Sequence, residues 1–96
     1  MAVEEKLVAR IGHDFELEVP SNPTTGYSVE PLFDQRLFHL ESSEYEQVSQ
    51  HLGATGKVKF KFTPLKKGRS HIKILYKRPW EQEAKKEMSF LLTVEE

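Results

Sequence analysis

The dominant period along this chain is two. Phe15, Leu17 and Val19 alternate with Glu16 and Glu18, and Val58, Phe60 and Phe62 alternate with Lys57, Lys59 and Lys61. Ile72, Ile74 and Tyr76 alternate with His71, Lys73 and Lys77, with Leu75 interrupting the polar side. Phe90, Leu92 and Val94 alternate with Ser89, Leu91 and Thr93. Successive side chains of a strand point to opposite faces, so each run predicts a strand with one core face and one mainly solvated face. Leu7 to Ile11 reads as a first strand. Tyr27 to Phe33 and Tyr45 to Val48 are weaker candidates, and Leu37 to Leu40 reads as a short strand or a connection. No stretch makes a convincing amphipathic helix. Glu81 to Met88 is charged enough for one helical turn but reads better as a long hairpin tip.

Turn chemistry falls between these runs: Gly12, Pro20 to Gly26, Pro31, Gly53 to Gly56, Pro64 to Gly68, and Pro79. Seven or eight short strands with turns at this spacing predict an all-β fold, a β-sandwich. The many lysines on the outer faces of the later strands suit a solvated sheet and would blunt edge pairing.

Composition narrows the partners. The 96 residues suit a single domain spanning the chain, with no repeat or linker to divide it. A net charge of -1 argues against nucleic acid or an anionic membrane as partner, since both call for a basic excess. The absence of cysteine removes a disulfide framework, a thiolate nucleophile and a Cys metal cluster. The longest apolar runs are a few residues, too short to span a membrane. The start, Met-Ala-Val-Glu-Glu-Lys, lacks an apolar signal core. That reads as cytoplasmic if the chain is complete, and as lysosomal, vesicular or secreted if a signal peptide has been removed.

Catalytic chemistry finds little purchase. His13, His39, His51 and His71 show no close metal-ligand spacing, and read as strand or surface histidines. No spacing suggests a Ser-His-Asp triad, and no glycine-rich loop opens a helix to cradle phosphate. The expectation is a protein that is not an enzyme and uses no cofactor or metal.

The loops are more informative. Asn22-Pro23-Thr24-Thr25-Gly26-Tyr27 contains the only Asn, and its Pro blocks the glycosylation that Asn-x-Thr would otherwise allow. Pro fixes φ and Gly permits positive φ, so the segment predicts a shaped, uncharged loop tip of the sort a recognition module presents. Leu52-Gly53-Ala54-Thr55-Gly56 is a small-residue turn. Its plainer reading is a hairpin; its functional reading is a loop offering main-chain groups, or Leu52, to a partner. Arg78-Pro79-Trp80 carries the only Trp, beyond the end of an alternating run. Trp and Arg are enriched at binding hot spots, although a Trp can also fold back to cap a core. With strands lettered A to G, these are the B–C, D–E and F–G connections, and alternate connections of a sandwich emerge at one end.

Those motifs, in that order, resemble the chagasin-type inhibitors of papain-like cysteine peptidases. The likeness covers nearly the whole chain: Gly12-x-x-Phe15-x-Leu17, then Asn22 to Tyr27, the Gly53 to Gly56 turn followed by Phe60, and Tyr76-x-Arg78-Pro79-Trp80. It implies an immunoglobulin-like β-sandwich acting as a monomeric, reversible, tight-binding inhibitor of papain-like, cathepsin L-like enzymes. By the resemblance, the Asn22 to Gly26 tip enters the active-site cleft. Thr24 then lies nearest the catalytic Cys and His, and Asn22, Pro23, Thr25 and Gly26 hold the tip in shape. The Leu52 to Gly56 loop lies along the non-primed side and pairs its backbone there. Arg78, Pro79 and Trp80 occupy the primed side, with Trp80 on an aromatic surface of the enzyme. Two positions depart from the family pattern. Val29 stands where members often have Trp, at a position expected in the core, and Thr55 interrupts the consecutive glycines of the second loop. The alternative is an immunoglobulin-like interaction or adhesion domain using the same end for another protein.

Overall fold

The computed structural model describes residues 4–21, 26–47, 56–84 and 86–96. Among these residues there are seven strands: β1 (Glu4–Arg10), β2 (Phe15–Ser21), β3 (Ser28–Leu32), β4 (Phe38–Gln47), β5 (Gly56–Pro64), β6 (Gly68–Lys77) and β7 (Lys86–Glu95). They form a four-stranded sheet in the order β1-β7-β6-β3 and a three-stranded sheet in the order β2-β5-β4. Neighbours are antiparallel except β1, which runs parallel to β7 from Glu4 opposite Ser89 to Arg10 opposite Glu95.

The two-residue period becomes the core directly. Leu17 and Val19 of β2, Phe38 of β4, and Phe60 and Phe62 of β5 are buried from one sheet. Ala9 of β1, Ile72, Ile74 and Tyr76 of β6, and Phe90, Leu92 and Val94 of β7 are buried from the other. Fully burying a side chain of this size is worth roughly 1.5–3 kcal/mol, whereas exposed ion pairs are screened and contribute far less. The inward rows therefore hold the sheets together. Val29 lies half-buried against this core.

Several local readings change. Pro20 and Pro31 lie inside β2 and β3, opposite Lys57 and Ile74, instead of in turns. Both strands are sheet edges, where a missing backbone donor can face away from the ladder. Pro64 is the last residue of β5. The two candidates on either side of the central acidic stretch are one strand. Phe38 to Leu40 opens β4, a register shift between Leu40 and Ser42 leaves Glu41 as the bulged residue, and the pairing resumes to Gln47. β7 begins at Lys86, so the hairpin tip is shorter than Glu81 to Met88. Ile11 lies just past β1 and is exposed.

The lysines of β5 also differ from expectation. β5 is the central strand of its sheet, so Lys57, Lys59 and Lys61 guard no edge. Lys59 lies opposite Glu18 and Glu44, Lys57 lies opposite Glu46, and Lys61 lies opposite Glu16. Lys57 Nζ is 3.3 Å from Glu18 Oε2, and Lys59 Nζ is 3.2 Å from Glu46 Oε2 and 3.8 Å from Glu18 Oε1. The outer face is a row of cations held between two rows of carboxylates.

Candidate functional site

The register places three chain connections at one end of the molecule. In the three-stranded sheet, Ser21 at the end of β2 and Gln47 at the end of β4 both lie opposite Gly56 at the start of β5. In the four-stranded sheet, Ser28 at the start of β3 lies opposite Lys77, and Tyr76 lies opposite Lys86 at the start of β7. Tyr76 Oη donates a 2.7 Å hydrogen bond to the Pro20 carbonyl, tying the two sheets together there. Burial raises the pKa of that phenol above its ordinary value, which keeps it a donor. The β2–β3, β4–β5 and β6–β7 connections therefore leave the sandwich side by side.

The β6–β7 connection is described almost in full. The Glu81 amide donates to the Arg78 carbonyl at 3.0 Å, closing a turn over residues 78–81. Pro79 takes the second position of that turn, where its fixed φ is favourable, and Trp80 takes the third. Trp80 is the most exposed large apolar side chain among the described residues, at 73%. It does not cap the core. Arg78 is half-buried, and its guanidinium carbon lies 4.4 Å over the Tyr27 ring and 5.7 Å from the Trp80 ring. Tyr27 in turn packs against the core.

Gly26 has φ +82°, a left-handed conformation that Gly enters without cost. It ends the β2–β3 connection immediately before Tyr27. Gly56 has a different reason to be glycine. It is buried in the first rung of β5, and a Cβ built there would lie 2.6 Å from the Glu46 carbonyl oxygen and 2.5 Å from Tyr45 Oη. Gly56 thus closes the β4–β5 connection as the first residue of β5, paired with Ser21 of β2 and Gln47 of β4. Asn22, Pro23, Thr24 and Thr25, with Leu52, Gly53, Ala54 and Thr55, lie outside the described residues.

Little at this end, among the described residues, can do acid–base or metal chemistry. Among the described residues, no group of three His, Cys, Asp or Glu side chains could hold a metal ion. His71 is elsewhere, with Nε2 2.6 Å from Glu4 Oε1 on the outer face of the four-stranded sheet. His39 Nε2 lies 3.5 Å from Glu41 Oε1, also on a sheet face. What the end offers is a rigid support, one large exposed indole and a cation stacked on aromatic rings. That is equipment for docking another molecule.

The sequence reading missed the Arg78–Tyr27 stack. Its signal was the strand pairing: once Ser28 is known to face Lys77, Tyr27 and Arg78 occupy the next rung beyond the ladder.

Comparison with known proteins agrees with this fold. The family described as Chagasin family peptidase inhibitor I42 matches residues 8–94. Chagasin of Trypanosoma cruzi is 30% identical over 80 residues, covering 77% of this chain and 73% of that protein. The crystal structure of the cysteine protease inhibitor EhICP2 from Entamoeba histolytica superposes with a TM-score of 0.83 at 22% identity, covering 96% of this chain and 87% of that one. PbICP-C, solved in complex with falcipain-2, superposes with a TM-score of 0.69 at 17% identity, covering 98% and 91%. The motif order, the seven-stranded sandwich and a match across nearly its whole length establish that this chain belongs to the chagasin family of peptidase inhibitors.

Proposed function

We propose that this chain inhibits papain-like cysteine peptidases reversibly, by seating the three-connection end of its sandwich in the active-site cleft. Membership of an inhibitor family, and not of an enzyme family, is the observation that carries the reading. The solved relatives support the peptidase class: one is a cysteine protease inhibitor and another was solved with falcipain-2. Trp80, exposed at the tip of a closed turn, supplies a large apolar anchor to an aromatic surface on the primed side, beside Pro79. In this reading Thr24 lies nearest the catalytic Cys and His, shaped by Asn22, Pro23, Thr25 and Gly26. The segment Leu52 to Gly56 lines the non-primed side.

The mechanism is steric and reversible. Connections held on a rigid sandwich lose little conformational entropy on docking, so more of the contact energy appears as affinity. No bond to the inhibitor needs to form or break.

Titration of papain and a cathepsin L-like peptidase under tight-binding conditions tests this, with trypsin as control. Stoichiometric loss of activity in the two cysteine peptidases alone, with the inhibitor uncut, is the expected result. Undiminished activity across a panel of such enzymes would overturn it and favour a domain that uses the same end for another protein.

A further inference from the structure

Arg78 is engaged by its own chain. Its guanidinium lies 4.4 Å over the Tyr27 ring and 5.7 Å from the Trp80 ring, so one cation sits against aromatic groups from two connections. Both distances fall within the range of about 6 Å where a ring quadrupole attracts a cation. The backbone builds this contact. Ser28 opposite Lys77 is the last rung between β3 and β6, and Ser28 Oγ donates a 2.9 Å hydrogen bond to the Lys77 carbonyl that closes it. Tyr27 and Arg78 follow at once, one from each strand. Tyr27 is anchored on the core, while Trp80 is 73% exposed. Trp80 therefore takes its orientation from the 78–81 turn and from Arg78, and not from burial.

We propose that Arg78 is a positioning residue, which clamps Trp80 to the base of the β2–β3 connection through the Tyr27 ring. It then serves inhibition by fixing the relation between two connections before the peptidase arrives, and not by contacting the enzyme. This rests on the inhibitor reading above. It deepens it by separating an anchor, Trp80, from the pair that holds it, Arg78 and Tyr27.

Trp80 is the only Trp in the chain, so its fluorescence reports the clamp without any peptidase. The variants are Arg78→Met, which drops the charge and keeps the length, Tyr27→Leu, which removes the ring, and Tyr27→Phe, which keeps it. Time-resolved anisotropy of the free proteins is expected to show more fast local motion of Trp80 in Arg78→Met and Tyr27→Leu, and wild-type behaviour in Tyr27→Phe. Unchanged anisotropy in folded Arg78→Met would overturn the clamp, and this arm stands even if Tyr27→Leu fails to fold.

The second arm is inhibition of papain. Arg78→Met and Tyr27→Leu are each expected to raise the inhibition constant about tenfold, with the double variant no weaker than either single one. Losses that multiply in the double variant would show that Arg78 touches the peptidase independently, and would overturn the proposal. A wild-type protein that leaves papain untouched would sink the inhibitor reading alone, because the anisotropy still decides whether the clamp exists.

Discussion

At the scale of single residues, two positions at the same end do opposite work. Trp80 is exposed and contributes little to the core, so its removal tests the proposed contact apart from folding. Trp80→Ala is expected to weaken inhibition of papain by about 2 kcal/mol or more, roughly thirtyfold in the inhibition constant, with an unchanged melting temperature. A folded variant of full potency would remove Trp80 from the contact. Gly56 is the reverse case. A Cβ there meets the Glu46 backbone carbonyl at 2.6 Å, and a strand backbone cannot turn aside as the neighbouring Tyr45 side chain can. Gly56→Ala is expected to cost about 1–3 kcal/mol of stability, read as a lower melting temperature. Wild-type melting would mean that the β4–β5 ladder yields at its last rung. The turn at Arg78 to Trp80 and the left-handed Gly26 were legible because Pro, Gly and a lone Trp are unusual between alternating runs. The stack of Arg78 on Tyr27 was not, because it depends on which strands pair.

Elements were legible where burial is one-sided. β2, β5, β6 and β7 each alternate because one face meets the opposite sheet, and their inward residues are those the period selects. β4 was read in two pieces because its later residues are exposed on both faces and a bulge at Glu41 breaks the alternation. Pro20 and Pro31 misled because an edge strand tolerates what a central one does not. The charge ladder was invisible for the same reason as the stack: Lys57 and Lys59 find Glu18 and Glu46 only through register. It makes a prediction at this scale. The hydrogen bond from Lys59 holds the Glu46 carboxyl below its ordinary value near 4.5. A carboxyl depressed in the folded state adds stability above its unfolded pKa, and that stability is lost as pH falls through the folded value. Lys59→Met should therefore lower the melting temperature at pH 7, and the gap from wild type should shrink below about pH 4.5. An equal gap at both ends of that range would assign the effect to packing of the lysine stem.

At the scale of the whole molecule, the proposed contact end and the aromatic core cluster lie apart. Opposite the three connections, Phe62 gathers an aromatic cluster: Phe33 at 5.1 Å edge-on, Phe15 at 5.6 Å stacked, and Phe38 at 6.3 Å edge-on between ring centres. Phe15 opens β2, Phe38 opens β4 and Phe62 lies near the close of β5, so the cluster sits far from Gly56 and Trp80 along a body 44 Å in its longest extent. Phe62 is fully buried. Truncating such a ring leaves a cavity costing about 3–5 kcal/mol, a large share of the roughly 5–15 kcal/mol that holds a domain of ordinary stability together. Phe62→Ala should thus melt well below wild type. Yet its folded fraction presents the same rigid end, because the β2–β5–β4 and β3–β6–β7 rungs at Ser21, Gly56, Ser28 and Lys77 are built without Phe62. Measured in the cold, where the variant is folded, the inhibition constant against papain should match wild type while the melting temperature does not. A parallel loss of both in fully folded protein would mean that core packing at the far end sets the loop geometry, and that the sandwich works as one unit and not as a support with a separable face.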